Sequence, residues 1–324
     1  MCTCIHLTNK SKSYFGRNLD LDYDLNQSVL VTPRNFTIKF KKENAIEKHF
    51  AFIGAGVVIN NFPLYADAIN EKGLGIATLN FRNSAIYYKE DKAKKNYAPY
   101  ELIPLLLATC KNIKEVKRLL ETINIIDIDF NKETPNQPSH YMISDTKESI
   151  VLETTKDGMK IYDNPYGVLT NNPPFPYQEY NVQNYLHLTN LEISNKLLPK
   201  SEFIPYSFGL DAYSLPGDYS STSRFIKALF VKNYTQLDED ERENVLGFLN
   251  VLSQVSMPKG SVKTPKGYEY TRYSTCYDQR EGRMYYKTYE NPNISVVNMH
   301  EEYMNAKEII VLPFQKDFPF YKQN

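Results

Sequence analysis

Cys2 carries the clearest chemical signal in the sequence, because removal of Met1 would give it a free α-amino group beside its own thiol. An α-amino group titrates at about 7.7–8.0 and a thiol at about 8.5, so a proton can pass between them near neutral pH. The amine can then act as the base that activates the thiol, directly or through one water molecule. We expect Met1 to be removed and Cys2 to be a nucleophile. An ordinary buried cysteine at the start of a strand is the alternative.

Arg17 and Asp20 place a permanent cation and a carboxylate three residues apart, in a segment that otherwise resembles a strand leading into a turn. If this strand pairs with the first one, Arg17 can favour the thiolate form of Cys2 and Asp20 can hold the protonated amine. A surface ion pair at a hairpin would explain the same two residues.

The elements that must position these residues are short strands and two groups of helices. Strand patterns cover residues 3–7, 14–17, 28–32, 36–40, 52–59, 74–79, 141–144, 150–154, 159–162, 270–277, 284–289, 294–298 and 309–312. Helical periodicity covers a pair that begins near Pro99 and continues after a cap at Asn112, and a second pair at 221–231 and 237–255.

This order of elements predicts an α+β fold. We expect the first 80 residues to form one sheet under the first helical pair. A second sheet starts at residue 141 under the second helical pair, and the last four strands form an antiparallel meander. Two antiparallel sheets face to face between helical layers make a four-layer αββα sandwich. Since no linker or internal repeat interrupts the chain, the sequence predicts a single domain over residues 1–324.

Six segments, in chain order, carry a family resemblance: residues 1–3, 15–20, 70–75 with 79–81, 167–173, 215–218 with 223–225, and 285–291. Together they resemble the choloylglycine hydrolases, a family of bile salt hydrolases and penicillin V acylases. The resemblance implies a sandwich of the N-terminal-nucleophile hydrolase type. It also implies hydrolysis of the amide bond of a conjugated bile salt, without a cofactor, by the Cys2 thiol with its α-amine as base.

The resemblance also implies further site residues. Asn80 and Asn171 match positions from which the family builds its oxyanion hole, although residues of this type are more often found at turns and strand ends. Arg224 matches the last polar member of the site and can anchor the thiolate surroundings or the acidic end of the substrate. By similarity, the pocket-lining positions are Leu19, Ile59, Ala66 and Phe130, for which ordinary core packing is the alternative.

Three positions bear on the acyl group that the enzyme accepts. Asn80 favours the bile salt branch, because relatives that prefer penicillin V tend to carry tyrosine there. Ser139 stands where relatives often have leucine, and Tyr141 replaces a tryptophan common in the family. A penicillin V acylase or related N-acyl amide hydrolase therefore stays the alternative within the class.

Composition excludes several other classes of protein. The 38 basic and 38 acidic residues give no net field toward nucleic acid or an anionic membrane. No apolar run reaches the ~18 residues of a membrane helix, and no secretory signal is visible, so we expect a cytoplasmic enzyme. Four scattered cysteines and five histidines show no metal-ligand spacing, so we expect no metal. The family resemblance suggests a homo-oligomer, a tetramer.

Three other functions fit the sequence less well. A non-catalytic binding protein has no need of a free N-terminal thiol. The glycine-rich run at residues 54–56 lacks the third glycine of a dinucleotide-binding motif, and Pro63 interrupts the helix that should follow. Cys2 and Cys4 are separated by one residue, whereas thiol redox motifs have two.

Overall fold

The computed structural model describes residues 1–191, 195–320 and 322–323. Its strands, numbered in chain order, are β1 Cys2–Thr8, β2 Ser13–Leu21, β3 Ser28–Thr32, β4 Phe52–Ile59, β5 Phe62–Asn70, β6 Gly75–Asn80, β7 Lys95–Tyr97, β8 Ile123–Ile125, β9 Ser139–Ser144, β10 Ser149–Thr155, β11 Gly158–Asp163, β12 Val168–Leu169, β13 Val262–Thr264, β14 Gly267–Asp278, β15 Arg283–Thr288, β16 Ser295–Asn298 and β17 Ile310–Pro313. Its helices are α1 Leu102–Thr109, α2 Ile113–Thr122, α3 Phe175–Val182, α4 Ser221–Tyr234, α5 Glu241–Ser253 and α6 Glu301–Met304.

Most strands belong to two large antiparallel sheets. The first sheet has the order β12-β1-β2-β14-β15-β16, and β13 pairs with β14. The second sheet has the order β11-β10-β9-β6-β5-β4-β3-β17. A short parallel pair, β7 and β8, forms a separate ladder.

The two sheets lie between helical layers. Helices α1 and α2 bury their apolar faces on the second sheet, where they share a core with residues such as Phe52, Ile76 and Ile143. Helices α4 and α5 cover the first sheet and contact β1, β2, β12 and β14. This arrangement confirms the predicted four-layer αββα sandwich. None of the described helices combines the length and the apolar character needed to span a bilayer.

Several local predictions match the structure closely. The strands predicted at 28–32 and 52–59 are β3 and β4. Asn112 caps α2 through a hydrogen bond from the amide of Glu115 to its side chain, 3.0 Å long. The helix predicted to begin at residue 237 begins at Glu241 instead, because the side chain of Asp240 accepts the amide of Arg242 and fixes the first turn there.

The predicted assignment of strands to sheets is wrong at five places. Strands β9 to β11 extend the sheet of β3 to β6 instead of starting a second one. The first 80 residues are divided between both sheets, with β1 and β2 in the first and β3 to β6 in the second. Residues 36–40 form only an isolated bridge between Ile38 and Ile46. Strand β17 pairs with β3 instead of completing the C-terminal meander. The second helical pair covers the sheet that contains β1, not the one that contains β9 to β11. Pairing between strands distant in sequence depends on which faces are buried together, and a local pattern does not record this.

Candidate active site

Cys2 is the first residue of β1, which lies inside the first sheet between β12 and β2. Its side chain is only 3% exposed. In the β1–β2 register Cys2 lies opposite Leu19, and Cys4 lies opposite Arg17. Opposed residues share a face of the sheet, and so do residues two apart in a strand. The thiol of Cys2 and the guanidinium of Arg17 are therefore on the same face.

That face packs against the second sheet, because Arg17 binds backbone carbonyls of β5 and β6. Its Nη1 atom donates to the carbonyl of Thr78 and, over 3.3 Å, to that of Ala66. Its Nε atom lies 3.9 Å from Oδ1 of Asp67, and its Nη2 atom is buried without a hydrogen-bond partner in the described residues. Burial by itself lowers the pKa of Arg17, but the neighbouring Cys2, Tyr273 and Asp67 outweigh it and raise that pKa above its usual value. Arg17 is thus a permanent cation, and the two N–H groups of its Nη2 are left for an anion beside it.

Asp67 is the buried counter-charge that holds Arg17. The hydroxyls of Tyr273, Thr275 and Tyr277 all donate to its carboxylate, over 2.7–2.9 Å. Burial raises the pKa of Asp67, and Arg17 and these hydroxyls offset part of the increase. Hydrogen bonds and a paired charge are what a buried carboxylate requires.

Asp20 lies on the opposite face of β2 from Arg17, because an odd spacing on a strand reverses the face. Its Oδ1 atom accepts the hydroxyl of Thr271 over 2.6 Å. Its Oδ2 atom is buried and has no hydrogen-bond partner among the described residues. Arg17 and Asp20 are both fully buried, so the alternative of a surface ion pair is wrong. A buried carboxylate oxygen without a donor is an acceptor available to a nearby ammonium group.

Met1 extends β1 by one residue beyond Cys2. Its amine donates to the backbone carbonyl of Asp20 over 2.9 Å and contacts the carboxylate of Glu269. Its own carbonyl accepts the amide of Asp20 over 3.0 Å. Burial lowers the pKa of this amine. In the chain that keeps Met1, the Cys2 nitrogen is an amide that donates to Oδ1 of Asn171 over 2.8 Å.

Arg224 connects the groups around the backbone nitrogen of Cys2, which is called here the nitrogen side. It lies in the first turn of α4, where Ser220 caps the helix, and its side chain is fully buried. It donates to the carbonyl of Cys2 over 2.5 Å, to the hydroxyl of Thr3 over 2.6 Å and to Oδ1 of Asn171 over 2.8 Å. Burial lowers the pKa of Arg224 below its usual value. These bonds connect helix α4, strand β1 and the segment after β12.

The two asparagines of the expected oxyanion hole are in direct contact. Nδ2 of Asn171 donates to the backbone carbonyl of Asn80 over 2.8 Å. The side-chain oxygen of Asn80 accepts the amide of Arg82, which leaves its NH₂ group as the donor end. The backbone amide of Asn171 donates to the hydroxyl of Ser221. The structure therefore brings Cys2, Arg17, Asp20, Asn80, Asn171 and Arg224 together, while their catalytic roles stay predictions.

Residues 2–312 match the family model described as linear amide C–N hydrolases, choloylglycine hydrolase family. The chain belongs to the choloylglycine hydrolase family. It is therefore a hydrolase of linear amide C–N bonds.

Relatives of known name agree with this membership. The chain is 41% identical over 325 residues, covering 100% of both sequences, to a bile salt hydrolase/transferase of Lactiplantibacillus plantarum. It is 35% identical to a bile salt hydrolase/transferase of Clostridium perfringens, with 98% of both covered. The crystal structure of a variant of conjugated bile acid hydrolase from Clostridium perfringens superposes over 100% of both chains, with a TM-score of 0.91 and 34% identity. A penicillin V acylase from Agrobacterium tumefaciens shares the fold, with a TM-score of 0.77 at 18% identity over 97% of this chain and 91% of that one.

The four positions expected to line the substrate pocket of this choloylglycine hydrolase lie in two places. Leu19 is opposite Cys2, and the carbonyl of Ala66 accepts a hydrogen bond from Arg17. Ile59 and Phe130 instead belong to the apolar cluster under α1, where the Phe130 ring lies 5.9 Å from that of Phe62. Their contact with substrate stays a prediction.

Several residues around the site were not predicted from the sequence of this family member. Asp67 and its three hydroxyl partners hold Arg17, and Thr271 binds Asp20. One signal in the sequence could have revealed part of this network, because Tyr273, Thr275 and Tyr277 alternate and so share one face of β14. Among the described residues, no three His, Cys, Asp or Glu side chains converge as a metal-ligand set.

Proposed function

We propose that this enzyme hydrolyses the amide bond of glycine- or taurine-conjugated bile salts, with Cys2 as nucleophile once Met1 has been removed. One observation carries the proposal. A cysteine adjacent to the N-terminus is buried with a cation, Arg17, on its thiol side and with Asp20, Asn171 and Arg224 on its nitrogen side. An N-terminal thiol needs these two different surroundings if its own amine is to serve as the base.

In the proposed first half-reaction, the α-amine of Cys2 takes the thiol proton and the sulfur attacks the carbonyl carbon of the amide. The oxyanion that forms is stabilised by the NH₂ groups of Asn80 and Asn171, each worth about 2.7–4 kcal/mol by analogy with other oxyanion donors. The protonated amine then gives its proton to the departing nitrogen as the C–N bond breaks. Glycine or taurine leaves, and the acyl group stays on sulfur as a thioester.

In the second half-reaction, the amine takes a proton from water while the water oxygen attacks the thioester carbonyl. The C–S bond breaks, the free bile acid leaves, and the proton returns to the thiolate. Oδ2 of Asp20 and Oδ1 of Asn171 are the acceptors that we assign to the ammonium form of Cys2. Arg17, with its unpaired Nη2, is assigned to the thiolate.

The choice of a bile salt is supported by the names of the relatives and by Asn80. We assign Leu19, Ile59, Ala66 and Phe130 to the apolar face that receives the steroid. We also propose that the whole chain acts as one domain in the cytoplasm.

The substrate is tested by measuring glycine and taurine release from conjugated bile salts beside cleavage of penicillin V. We expect faster release from the bile salts. Faster turnover of penicillin V would replace the proposed substrate with a phenoxyacetyl amide.

The nucleophile is tested by Cys2→Ser together with intact-mass measurement of the purified wild-type enzyme. We expect the wild-type mass to lack Met1 and the variant to lose most activity, because a hydroxyl is a much weaker acid than a thiol beside the same amine. An active enzyme that retains Met1 would rule out the amine as base, and a Cys2→Ser variant of normal rate would rule out the thiol.

We further propose that the enzyme is a homo-oligomer, expected to be a tetramer. Large apolar side chains are exposed on both sides of the undescribed residues 192–194, and Phe208 is 94% exposed; the others include Leu186, Leu191, Leu197, Phe203, Ile204, Tyr206 and Tyr213. Many large exposed apolar side chains within one stretch of chain are typical of an interface. Light scattering should give a mass of several chains for the wild type and a smaller mass for Phe203→Ser/Phe208→Ser. A monomeric wild type would contradict the proposal.

A further inference from the structure

A buried histidine with no assigned role lies directly behind the two asparagines. His140, on β9, is fully buried, and so is Glu153 on the neighbouring strand β10. Nδ1 of His140 lies 3.1 Å from Oε1 of Glu153, and its Nε2 lies 3.0 Å from the backbone carbonyl of Thr170. A carbonyl oxygen only accepts, so Nε2 carries a proton and donates it to Thr170.

The imidazole of His140 contacts both segments that carry the expected oxyanion donors. Thr170, which accepts Nε2, directly precedes Asn171. On its face, the ring stacks on Phe81, which directly follows Asn80, with the ring centres 4.4 Å apart and the planes within 5°. One rigid side chain therefore touches the neighbours of both asparagines.

The other end of the imidazole is fixed in turn. Oε1 of Glu153 also accepts the backbone amide of Phe175, the first residue of α3, over 2.9 Å. The carboxylate thus ties the histidine to the helix that follows Asn171 in the chain. The carboxylate at Nδ1 and the carbonyl at Nε2 therefore hold the ring at both nitrogens and fix its orientation.

We propose that His140 is a positioning residue for the oxyanion hole, setting the separation of Asn80 and Asn171 through Phe81 and Thr170. No hydrogen bond joins His140 to Arg17 or Asp67 among the described residues, so it reaches the site only through Phe81 and Thr170. This inference rests on the proposed function, because it assumes that the two asparagines stabilise the oxyanion of amide hydrolysis.

The matched variants His140→Gln and His140→Asn test the proposal, because both replace the ring with an amide beside Glu153. The glutamine nitrogen reaches roughly the position of Nε2 and can still donate to Thr170, whereas the asparagine nitrogen reaches only that of Nδ1. We expect kcat to fall by about 10²–10³ in His140→Asn, the loss typical of one oxyanion donor, with little change in KM. His140→Gln should stay within about tenfold of the wild type. The exposed His300→Asn serves as the control for a harmless change of the same kind.

Alkylation of Cys2 by iodoacetamide separates positioning from general damage, since this reaction requires the thiolate but no oxyanion hole. We expect the alkylation rate to be unchanged in both variants. A His140→Asn variant within tenfold of His140→Gln, or an alkylation rate that falls in parallel with kcat, would overturn the proposal.

If His140→Asn does not fold, Phe81→Leu provides the second test. It removes the stacked ring and leaves every polar contact of His140 in place. We expect a drop in kcat of about tenfold at an unchanged alkylation rate, and a wild-type kcat would overturn the proposal. If the wild-type enzyme cleaves penicillin V rather than bile salts, the proposed substrate fails, and the same variants are then compared on penicillin V.

Discussion

The two buried arginines of the site lie on opposite sides of Cys2 and differ in almost every contact. Arg17 lies between the sheets, faces the carboxylate of Asp67 and keeps an unpaired Nη2 on the thiol side. Arg224 belongs to the first turn of helix α4, on the nitrogen side of Cys2, and donates only to neutral oxygens. Their pKa values move in opposite directions, upward for Arg17 because its anionic neighbours outweigh burial, and downward for Arg224 because burial dominates. Identical side chains thus face a buried carboxylate in one place and hydrogen-bond only to neutral oxygens in the other.

Arg17→Met should have the largest effect of the predicted variants. It removes the cation beside the thiol and leaves Asp67 buried without its counter-charge, which costs about 3–5 kcal/mol of unfolding free energy. We expect kcat/KM to fall about 10³-fold or more and iodoacetamide alkylation of Cys2 to slow at least about tenfold. Arg17→Met/Asp67→Asn is the control, since it should regain stability without regaining the alkylation rate. Normal alkylation in either variant would break the comparison.

Asp20→Ala should come next, with a fold that is retained and a kcat/KM about 10²-fold lower, the usual contribution of general acid–base catalysis. The reason is that Asp20 is assigned to the ammonium form of Cys2 and not to its thiolate. Thr271→Val removes the hydroxyl that donates to Oδ1 and accepts the amide of Met257, but it keeps the carboxylate, so it should lose less activity. A collapse of thermal stability in Asp20→Ala, rather than of rate, would make the carboxylate a structural residue.

Arg224→Met should lower kcat/KM by about tenfold to 10²-fold while iodoacetamide alkylation stays near the wild-type rate. Its loss frees the Cys2 carbonyl and Asn171 and so disturbs the geometry around the Cys2 backbone, while Arg17 stays in place on the thiol side. Alkylation that slows as much as in Arg17→Met would show that the two arginines act alike.

His6 lies on the same strand as Cys2, but we expect it to affect stability and not catalysis, unlike the two arginines. Burial, helped by Lys232, lowers the pKa of His6 to about 4 from an ordinary value of 6.5, while Asp145 opposes the change. Between pH 6.5 and about 4, His6 is therefore protonated in the unfolded chain and neutral in the folded chain. The resulting stability is complete above pH 6.5 and is lost as pH falls toward about 4. Urea unfolding at several pH values should give a flatter profile for His6→Gln, with unchanged activity at neutral pH. Equal slopes for the two proteins would remove His6 as the cause.

The sequence predicted those parts of the site that depend on local pattern. The expected pairing of the strand of Arg17 and Asp20 with the first strand brings both residues to Cys2, and the structure adds that they lie on opposite faces. Asn112 predicted the start of α2 for the same local reason. Asp67 could not be predicted, because it belongs to a strand of the other sheet and reaches Arg17 only across the core. The pairing of β17 with β3 could not be predicted either, because pairing between strands distant in sequence leaves no pattern within either strand.

The position of Met1 has a practical consequence for protein engineering. Any residue that precedes Cys2 lengthens β1 and occupies both backbone hydrogen-bonding groups of Asp20, next to the nucleophile. An affinity tag or fusion partner joined to the N-terminus would therefore obstruct the site even with every catalytic side chain intact.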